Sequence, residues 1–216
     1  MTENSGTQKL IQIILRLADD VIAAKDQLTE LDATIGDGDL GVTMTAGFNA
    51  VKENLGSANP SNPQEVLKTA GKAFAEKAAS TFGTLIATMF MRAGEAVKGK
   101  DCIAGTEFAF MLRAAAEGVQ KRGKAKLGEK TVLDALFPAV ESAERATASG
   151  QGLSQCVDEA LAGARKGAED TVKMRSQAGR ASWFGDRTIG VKDPGAAALV
   201  IMLDSIAKSV RMILVQ

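Results

Sequence analysis

The segment from Thr7 to Thr29 reads TQKLIQIILRLADDVIAAKDQLT, and its apolar residues recur at steps of three and four. This spacing places them along one side of an α-helix, whereas a half-buried strand would need strict alternation. The same helical period continues through most of the chain, and no long alternating β-branched run interrupts it. The apolar side of this first predicted helix consists of Leu10, Ile14, Leu17, Val21 and Leu28.

The helical period predicts an all-α fold of about eight helices. With 216 residues, 45% of them hydrophobic, the chain is long enough for one well-buried domain. No internal repeat or interdomain linker is visible, so a single domain over residues 1–216, built as a helical bundle, is the simplest architecture. The helices after the first are predicted at residues 42–55, 63–77, 84–98, 106–122, 131–148, 154–174 and 196–214.

The composition excludes several classes of function. Lysine plus arginine and aspartate plus glutamate both number 26, so no overall field favours nucleic acid or an anionic membrane. Histidine and tyrosine are both absent, which excludes imidazole bases, histidine metal ligands and a Ser/His/Asp triad. Proton transfer or metal binding must therefore use carboxylates, lysine or a partner protein.

The sequence also favours a cytoplasmic location. The first ten residues are polar, and the longest apolar stretch near the end stops at Asp204, so neither secretion nor a membrane span is expected. Cys102 and Cys156 lie far apart and show no metal-site or redox spacing. They are predicted to be small core residues of a protein in a reducing compartment.

Residues 31–43, LDATIGDGDLGVT, place Asp32, Asp37 and Asp39 in a glycine-rich loop. Magnesium prefers oxygen ligands and is commonly completed by substrate phosphates, so three carboxylates in one loop can hold two ions facing a nucleotide. An EF-hand is excluded, because the twelfth position counted from Asp37 is Phe48 where a glutamate is needed. The same residues also fit a solvated turn whose aspartates cap the next helix.

Three further segments are candidate phosphate sites. Residues 123–131, GKAKLGEKT, resemble a P-loop but carry an extra Glu129, and no strand precedes them, so that motif is rejected. A helix N-terminus there remains an anion site, or a simple capping box. Residues 80–84, STFGT, offer hydroxyls and amides to a phosphate, or only a helix cap. In the long loop of residues 175–195, Arg180 or Arg187 can present a planar fork to phosphate oxygens, or be a surface residue.

Four ordered segments together resemble a known family. They read DATIGDGDLG from residue 32, GTLIAT from residue 83, RGKAKLGEKTVLD from residue 122 and GRASWFGDRTIGVKDPGA from residue 179. This order is similar to the L subunit, or nucleotide-binding domain, of dihydroxyacetone kinases, over nearly the whole chain. The resemblance implies a closed barrel of eight antiparallel amphipathic helices with the nucleotide site at one end.

The resemblance also implies roles for particular residues. Asp32, Asp37 and Asp39 would hold two magnesium ions that bridge the phosphates of ADP or ATP. Arg180 would add catalytic charge stabilisation. The residues implied to contact the nucleotide are Leu40, Gly41, Val42, Thr43, Thr81, Phe82, Gly123, Val132, Arg180, Asp193, Pro194 and Gly195.

Two departures from the family pattern concern the phosphate end of the site. Phe82 replaces the serine usual near the terminal phosphate, and Leu40 replaces a histidine common after the third aspartate. One interpretation is that phosphate contacts have shifted to Ser80, Thr81 or Thr84. The other is that the site binds nucleotide but has changed its substrate, its partner or its activity.

The resemblance implies phosphoryl transfer to dihydroxyacetone or a related short ketose that a separate K subunit holds through a histidine. Because this chain has no histidine, its activity is expected to require that partner. The donor is either free ATP or bound ADP that a phosphotransferase-system protein rephosphorylates. A chain without a fused K domain favours the second. A non-catalytic ADP-binding regulator that docks on another protein is the alternative function, and a homodimer is left open.

Overall fold

The computed structural model describes the backbone of residues 5–215 and the side chains of residues 6–213. Within that part of the chain there are nine α-helices, two 3-10 segments and no strand, so the predicted all-α class is confirmed. The helices are α1 Ser5–Ala23, α2 Lys25–Ile35, α3 Leu40–Ser57, α4 Pro63–Lys77, α5 Thr81–Ala96, α6 Gly105–Gly123, α7 Leu133–Ala148, α8 Leu153–Asp170 and α9 Pro194–Val215. The 3-10 segments are Thr171–Lys173 and Arg180–Thr188, and the second is interrupted by a kink at Gly185, where φ is 57°.

Eight of these helices close into a ring. From α3 to α9 each helix packs against the next one, and α1 packs against both α9 and α3. Neighbours run antiparallel: Arg16 of α1 contacts Met212 of α9, whereas the later Asp20 contacts the earlier Ser205. The predicted barrel of antiparallel helices is therefore confirmed, and α2 packs against α3 as a ninth helix beside the ring.

The first helix is shorter than the period predicts. A single helix from Thr7 to Thr29 is wrong, because α1 ends at Ala23 and α2 begins at Lys25. Ala24 has a ψ of 8°, far from the helical value near −42°, which turns α2 away from the axis of α1. No glycine or proline marks this break. Packing of α2 against α3 sets it, and that packing is long-range information.

The interior of the barrel is apolar at the end opposite to the starts of α3, α5, α7 and α9. A cavity of about 460 Å³ lies there, between the beginning of α1, the turn before α6 and the end of α9. Cys156 is buried as predicted, whereas Cys102 is exposed in that turn and is not a core residue. Among the described helices none combines the length and the apolar character that a membrane crossing needs.

The antiparallel ring decides which residues share an end of the barrel. Alternate ring helices run in the same direction, so α3, α5, α7 and α9 all begin at one end. Their first residues are Leu40, Thr81, Leu133 and Pro194, and all four line one pocket. The motifs of the long loops therefore meet there although they are far apart in sequence.

Candidate functional site

A pocket of about 240 Å³ lies at this end of the barrel. The N-terminal turns of α3, α5, α7 and α9 form its walls, and the segment of residues 178–181 borders it. Free backbone N–H groups and the helix dipole make each such N-terminus favourable for an anion. Four such N-termini surround this pocket, and α9 differs from the others because Pro194 has no N–H and Asp193 accepts from the amide of Ala196.

The three aspartates of the predicted metal site lie together at this pocket. Asp32 belongs to the last turns of α2, while Asp37 and Asp39 lie in the turn that leads into α3. One carboxylate oxygen from each lies within 4.8 Å of the others. Burial, with the neighbouring charge of Asp32 as the second cause, raises the pKa of Asp39 above its ordinary value. Crowded carboxylates of this kind fit a hard cation such as Mg²⁺.

Two of these aspartates are held differently by the start of α3. Oδ2 of Asp32 accepts a hydrogen bond from the amide of Leu40 at 3.2 Å. Asp39 occupies the cap position of α3, but its side chain makes no capping bond. Helix capping therefore accounts for part of the role of Asp32, whereas the carboxylate of Asp39 takes no part in capping α3.

Arg180 brings positive charge to the edge of the acidic cluster. Its guanidinium forms an ion pair with Asp37, and the same Nη1 lies 3.9 Å from Oδ2 of Asp39. Arg180 begins the 3-10 segment Arg180–Thr188. The long loop after α8 therefore extends to the acidic cluster.

The start of α5 forms the wall in which the sequence departs from the family pattern. Oγ of Ser80 accepts from the amide of Gly83 at 2.9 Å, and Oγ1 of Thr84 donates to the carbonyl of Ser80 at 2.9 Å. The hydroxyl of Ser80 thus caps α5, whereas that of Thr84 bonds back to the carbonyl four residues earlier. Phe82 is half-buried and lies against Gly195, where a Cβ would approach its ring to 2.8 Å. The aromatic ring closes the gap between α5 and α9.

Asp193 ends the long loop and begins α9. It is buried, and its Oδ2 accepts from the amide of Ala196 at 2.7 Å. Burial raises the pKa of Asp193 to about 7, and the charge of Asp134 adds to this effect, while Lys130 and backbone hydrogen bonds oppose it. Asp193 is therefore the helix cap that sets the position of Pro194 and Gly195 at the pocket.

The pocket collects most of the predicted site residues but not all. Four predicted nucleotide contacts do not line it, and their roles stay predictions. Gly41 is buried against α2, Val42 is 55% exposed, and Thr43 and Thr84 lie deeper in their helices. The predicted residues that line the pocket are Asp32, Asp37, Asp39, Leu40, Ser80, Thr81, Phe82, Gly123, Val132, Arg180, Asp193, Pro194 and Gly195.

Some lining residues had no assigned role in the sequence. Among them, Ala178 and Gly179 precede Arg180, and Lys130 and Thr131 precede α7. The ammonium of Lys130 points to backbone carbonyls, unlike a P-loop lysine, which reaches phosphates. The rejection of a P-loop at this segment thus agrees with the structure. The motif that suggested a phosphate ligand marks an internal structural lysine.

A protein-family model described as the DAK2 domain matches residues 34–208. The chain belongs to the dihydroxyacetone kinase L-subunit family. The family resemblance that rested on the four sequence motifs is thereby confirmed. The matched range includes every residue that lines the pocket except Asp32.

Family relatives of two sizes resemble the chain. The PEP-dependent dihydroxyacetone kinase, ADP-binding subunit DhaL, of Escherichia coli is 33% identical over 203 residues, which are 94% of this chain and 96% of that protein. The human triokinase/FMN cyclase is 29% identical and also aligns with 94% of this chain, but the aligned part is only 35% of that protein. The DhaL relative thus matches this chain in length, whereas the human protein carries additional regions.

The solved dihydroxyacetone kinase of C. freundii, in complex with AMP-PNP and Mg²⁺, has a similar fold. It superposes with a TM-score of 0.71 at 23% sequence identity, over 93% of this chain and 33% of that one. At this level of identity the likeness concerns the fold alone. It agrees with the closed ring of helices described above.

Proposed function

We propose that this chain is the nucleotide-holding subunit of a dihydroxyacetone-kinase-type phosphotransferase. The observation that supports it best is one pocket in which three carboxylates within 4.8 Å of one another face four helix N-termini. Carboxylates attract a divalent cation, and helix N-termini attract phosphate oxygens. A magnesium nucleotide, ADP or ATP, presents both partners at once.

Within this proposal Asp32, Asp37 and Asp39 hold two magnesium ions. When bound, the ions would neutralise the charge of the transferring phosphoryl group and orient it. Arg180 lies beside Asp37 and Asp39 and would add positive charge toward a bound phosphate group. Phe82 packs against the start of α9 and supplies an apolar side chain to the same pocket. We also propose that residues 1–216 form a single nucleotide-binding domain.

The acceptor would be a short ketose, such as dihydroxyacetone, on a K-type subunit. The phosphorus–oxygen bond to ADP breaks as the bond to the ketose hydroxyl forms, and the hydroxyl proton is released. This chain contains no histidine for covalent capture of a ketone, so the partner must hold the substrate. The pocket that chooses among ketoses then lies on the partner.

The source of the phosphoryl group distinguishes two versions of this function. Relatives of nearly the same length are named PEP-dependent and ADP-binding, which supports a tightly held ADP that a phosphotransferase-system protein rephosphorylates. In that version ADP stays with the purified protein through gel filtration. Rapid exchange of the bound nucleotide with free ATP would instead support a kinase that consumes ATP directly.

Substitution Asp37→Asn tests the proposed metal site. We expect it to abolish magnesium-dependent ADP binding, because the cluster loses a charged ligand that a neutral amide replaces poorly. Calorimetric titration of ADP with and without magnesium measures this. Asp26→Asn, on the exposed face of α2 outside the cluster, is the matched control and should bind as the unchanged chain does. Tight magnesium–ADP binding by Asp37→Asn would exclude the assignment.

A non-catalytic ADP-binding regulator is the second candidate, and the wall at α5 favours it. Phe82 occupies the place where the family pattern has a serine, and the hydroxyl of Thr84 donates its proton to the carbonyl of Ser80. Reconstitution with a K-type subunit and a panel of short ketoses separates the two. Transfer to any ketose excludes the regulator, whereas magnesium–ADP binding without transfer supports it.

A further inference from the structure

Lys130 is a buried lysine, 1% exposed, whose side chain the proposed reaction does not use. Its position at the end of a loop would ordinarily leave a lysine in solvent. Instead the ammonium is enclosed by backbone oxygens, and its three N–H groups are shared among four carbonyls. It donates to the carbonyl of Thr171 at 2.8 Å, of Met174 at 3.1 Å, of Thr188 at 2.6 Å and of Val191 at 2.5 Å.

The four carbonyls lie on both sides of one loop. Thr171 and Met174 precede the loop of residues 175–187, and Thr188 and Val191 follow it. One ammonium therefore joins both ends of the loop. The amide of Gly190 also donates to the carbonyl of Val172 at 2.7 Å. The two loop ends, residues 171–174 and 188–191, thus lie side by side, and we call this pair the neck of the loop.

The loop that this neck closes carries the arginine of the candidate site. Arg180 lies in its middle and forms the ion pair with Asp37. Lys130 thus holds the two ends of the loop together, and Arg180 in the middle of that loop contacts the acidic cluster. We propose that Lys130 is a positioning residue that closes the neck of residues 175–187 and so holds Arg180 against the acidic cluster. Its kinetic consequence rests on the proposed function.

The turn that contains Lys130 has an unusual backbone conformation and is stabilised by hydrogen bonds to Asp134. Lys130 has a φ of 60°, in the left-handed region that non-glycine residues seldom occupy. Asp134 stabilises the turn on both sides, because its carboxylate accepts from the amide of Gly128 at 2.5 Å and from that of Thr131 at 2.7 Å. The lysine is thereby fixed relative to the start of α7, which itself walls the pocket.

The charge balance around Lys130 agrees with a structural ammonium. Burial lowers the pKa of Lys130, while the nearby carboxylate of Asp193 opposes that shift. The hydrogen bonds to the carbonyls of Thr171 and Thr188 are buried, and buried carbonyls that lose their donor are unfavourable. A methionine at position 130 keeps a similar length but supplies no donor, so the neck should open.

The chain contains its own probe of this loop. Trp183 is the sole tryptophan, tyrosine is absent, and Trp183 lies within the loop with 83% of its surface exposed. Fluorescence excited at the tryptophan band therefore reports on residues 175–187 alone. In Lys130→Met we expect lower steady-state anisotropy of Trp183 and faster hydrogen exchange in this loop, with the helical circular dichroism unchanged.

Lys124→Met is the matched control for these measurements. Lys124 is also a left-handed lysine, with a φ of 59°, but its side chain is exposed at the end of α6. Its substitution should leave anisotropy and exchange as in the unchanged chain. Anisotropy and loop exchange of Lys130→Met equal to those of Lys124→Met would overturn the proposal.

A double-mutant cycle separates positioning from general loss of stability. With a K-type partner, Lys130→Met should lower kcat by about tenfold or more, since a misplaced group costs rate steeply. Arg180→Ala should then cost much less in the Lys130→Met background than in the unchanged chain, because the arginine is already out of place. Fully additive effects on kcat would contradict the positioning role.

Misfolding of Lys130→Met and a lack of phosphoryl transfer by the unchanged chain are distinguished from a failure of the proposal as follows. If Lys130→Met does not fold, the same measurements are made on Lys130→Gln, which keeps two N–H donors on a shorter side chain. Its loop should exchange faster than that of the unchanged chain. Unchanged loop exchange in Lys130→Gln would then overturn the proposal. If the unchanged chain transfers no phosphoryl group, the proposed function fails, and the fluorescence and exchange data still decide whether Lys130 holds the loop.

Discussion

At the scale of single residues, the acidic cluster depends on how tightly Asp32 is confined. Its Oδ2 accepts the amide of Leu40, and its Oδ1 lies against Gly36, where a Cβ would approach to 2.3 Å. Gly36 has an extended backbone, so the close approach, and not its φ, makes glycine necessary there. The carboxylate of Asp32 is therefore held between two backbone elements and points at its two neighbours.

Gly36→Ala should weaken magnesium binding without unfolding the protein. The added methyl group must displace the Asp32 carboxylate, and because it also lies 2.8 Å from the backbone carbonyl of Asp32, the end of α2 must shift slightly as well. We expect magnesium affinity in the presence of ADP to fall on the order of tenfold, which is about 1.4 kcal/mol. Calorimetric titration measures it, with Thr34→Ala, exposed on the same turn of α2, as control. Equal affinities for the two variants would contradict this account of Gly36.

Single residues also show what the sequence could and could not predict. Asp32, Asp37 and Asp39 lie within eight positions of one another, so one local segment predicts that they converge. Lys130 takes its partners from residues 41 to 61 positions further along the chain. No local period carries that information, because burial of a lysine depends on which loop folds over it. Its local motif suggested a phosphate contact.

At the scale of secondary-structure elements, α2 is the part that connects the acidic cluster to the barrel. It carries Asp32 and packs against the first turn of α3. There a Cβ on Gly41 would lie 2.1 Å from the carbonyl of Lys25 and 2.3 Å from Oγ1 of Thr29. The two helices touch through this glycine. The sequence predicted Gly41 as a nucleotide contact, and the structure gives it this packing contact.

Gly41→Ala should separate α2 from α3 and lower the stability of the protein. Overpacking against backbone typically costs about 1–3 kcal/mol of unfolding free energy. Magnesium–ADP affinity should fall as well, since Asp32 moves with α2. Urea unfolding and calorimetry measure the two effects. Gly56→Ala, on the same helix α3 and with no atom within 4 Å of its new Cβ, should instead raise stability slightly. Equal stabilities would contradict the close contact.

The helix bounds show the same division between local and long-range information. The helix predicted at residues 63–77 agrees with α4, because Asn62 caps it and Pro63 occupies its first position. The break at Ala24 was missed, because both flanking segments keep a helical period. Residues 175–195 show no such period, and the 3-10 segment within them depends on Lys130 and the loop neck.

At the scale of the whole molecule, barrel closure places the candidate site and the apolar cavity at opposite ends. The antiparallel ring gathers four helix N-termini at one end, and the cap of α9, Asp193, is buried among them. Burial raises the pKa of Asp193 to about 7. A carboxyl group of this kind couples the stability of the whole barrel to pH.

The sign of that coupling follows from proton binding. The folded pKa of Asp193, about 7, lies above the ordinary value of 3.8, so between these limits the folded protein keeps a proton that the unfolded chain releases. The contribution of Asp193 is fully present below pH 3.8 and is lost as pH rises to about 7. Its slope is at most about 1.4 kcal/mol per pH unit.

Asp193→Asn should remove this dependence while keeping the acceptor that caps α9. Other titrating groups contribute alike to both proteins, so the difference between their unfolding free energies isolates Asp193. We expect the unchanged chain to lose stability relative to Asp193→Asn as pH rises from about 4 to about 7, and the difference to be constant at higher pH. Urea unfolding at several pH values measures it. Parallel curves for the two proteins would show that Asp193 is ionised throughout, and that Lys130 and the helix start together stabilise its buried charge.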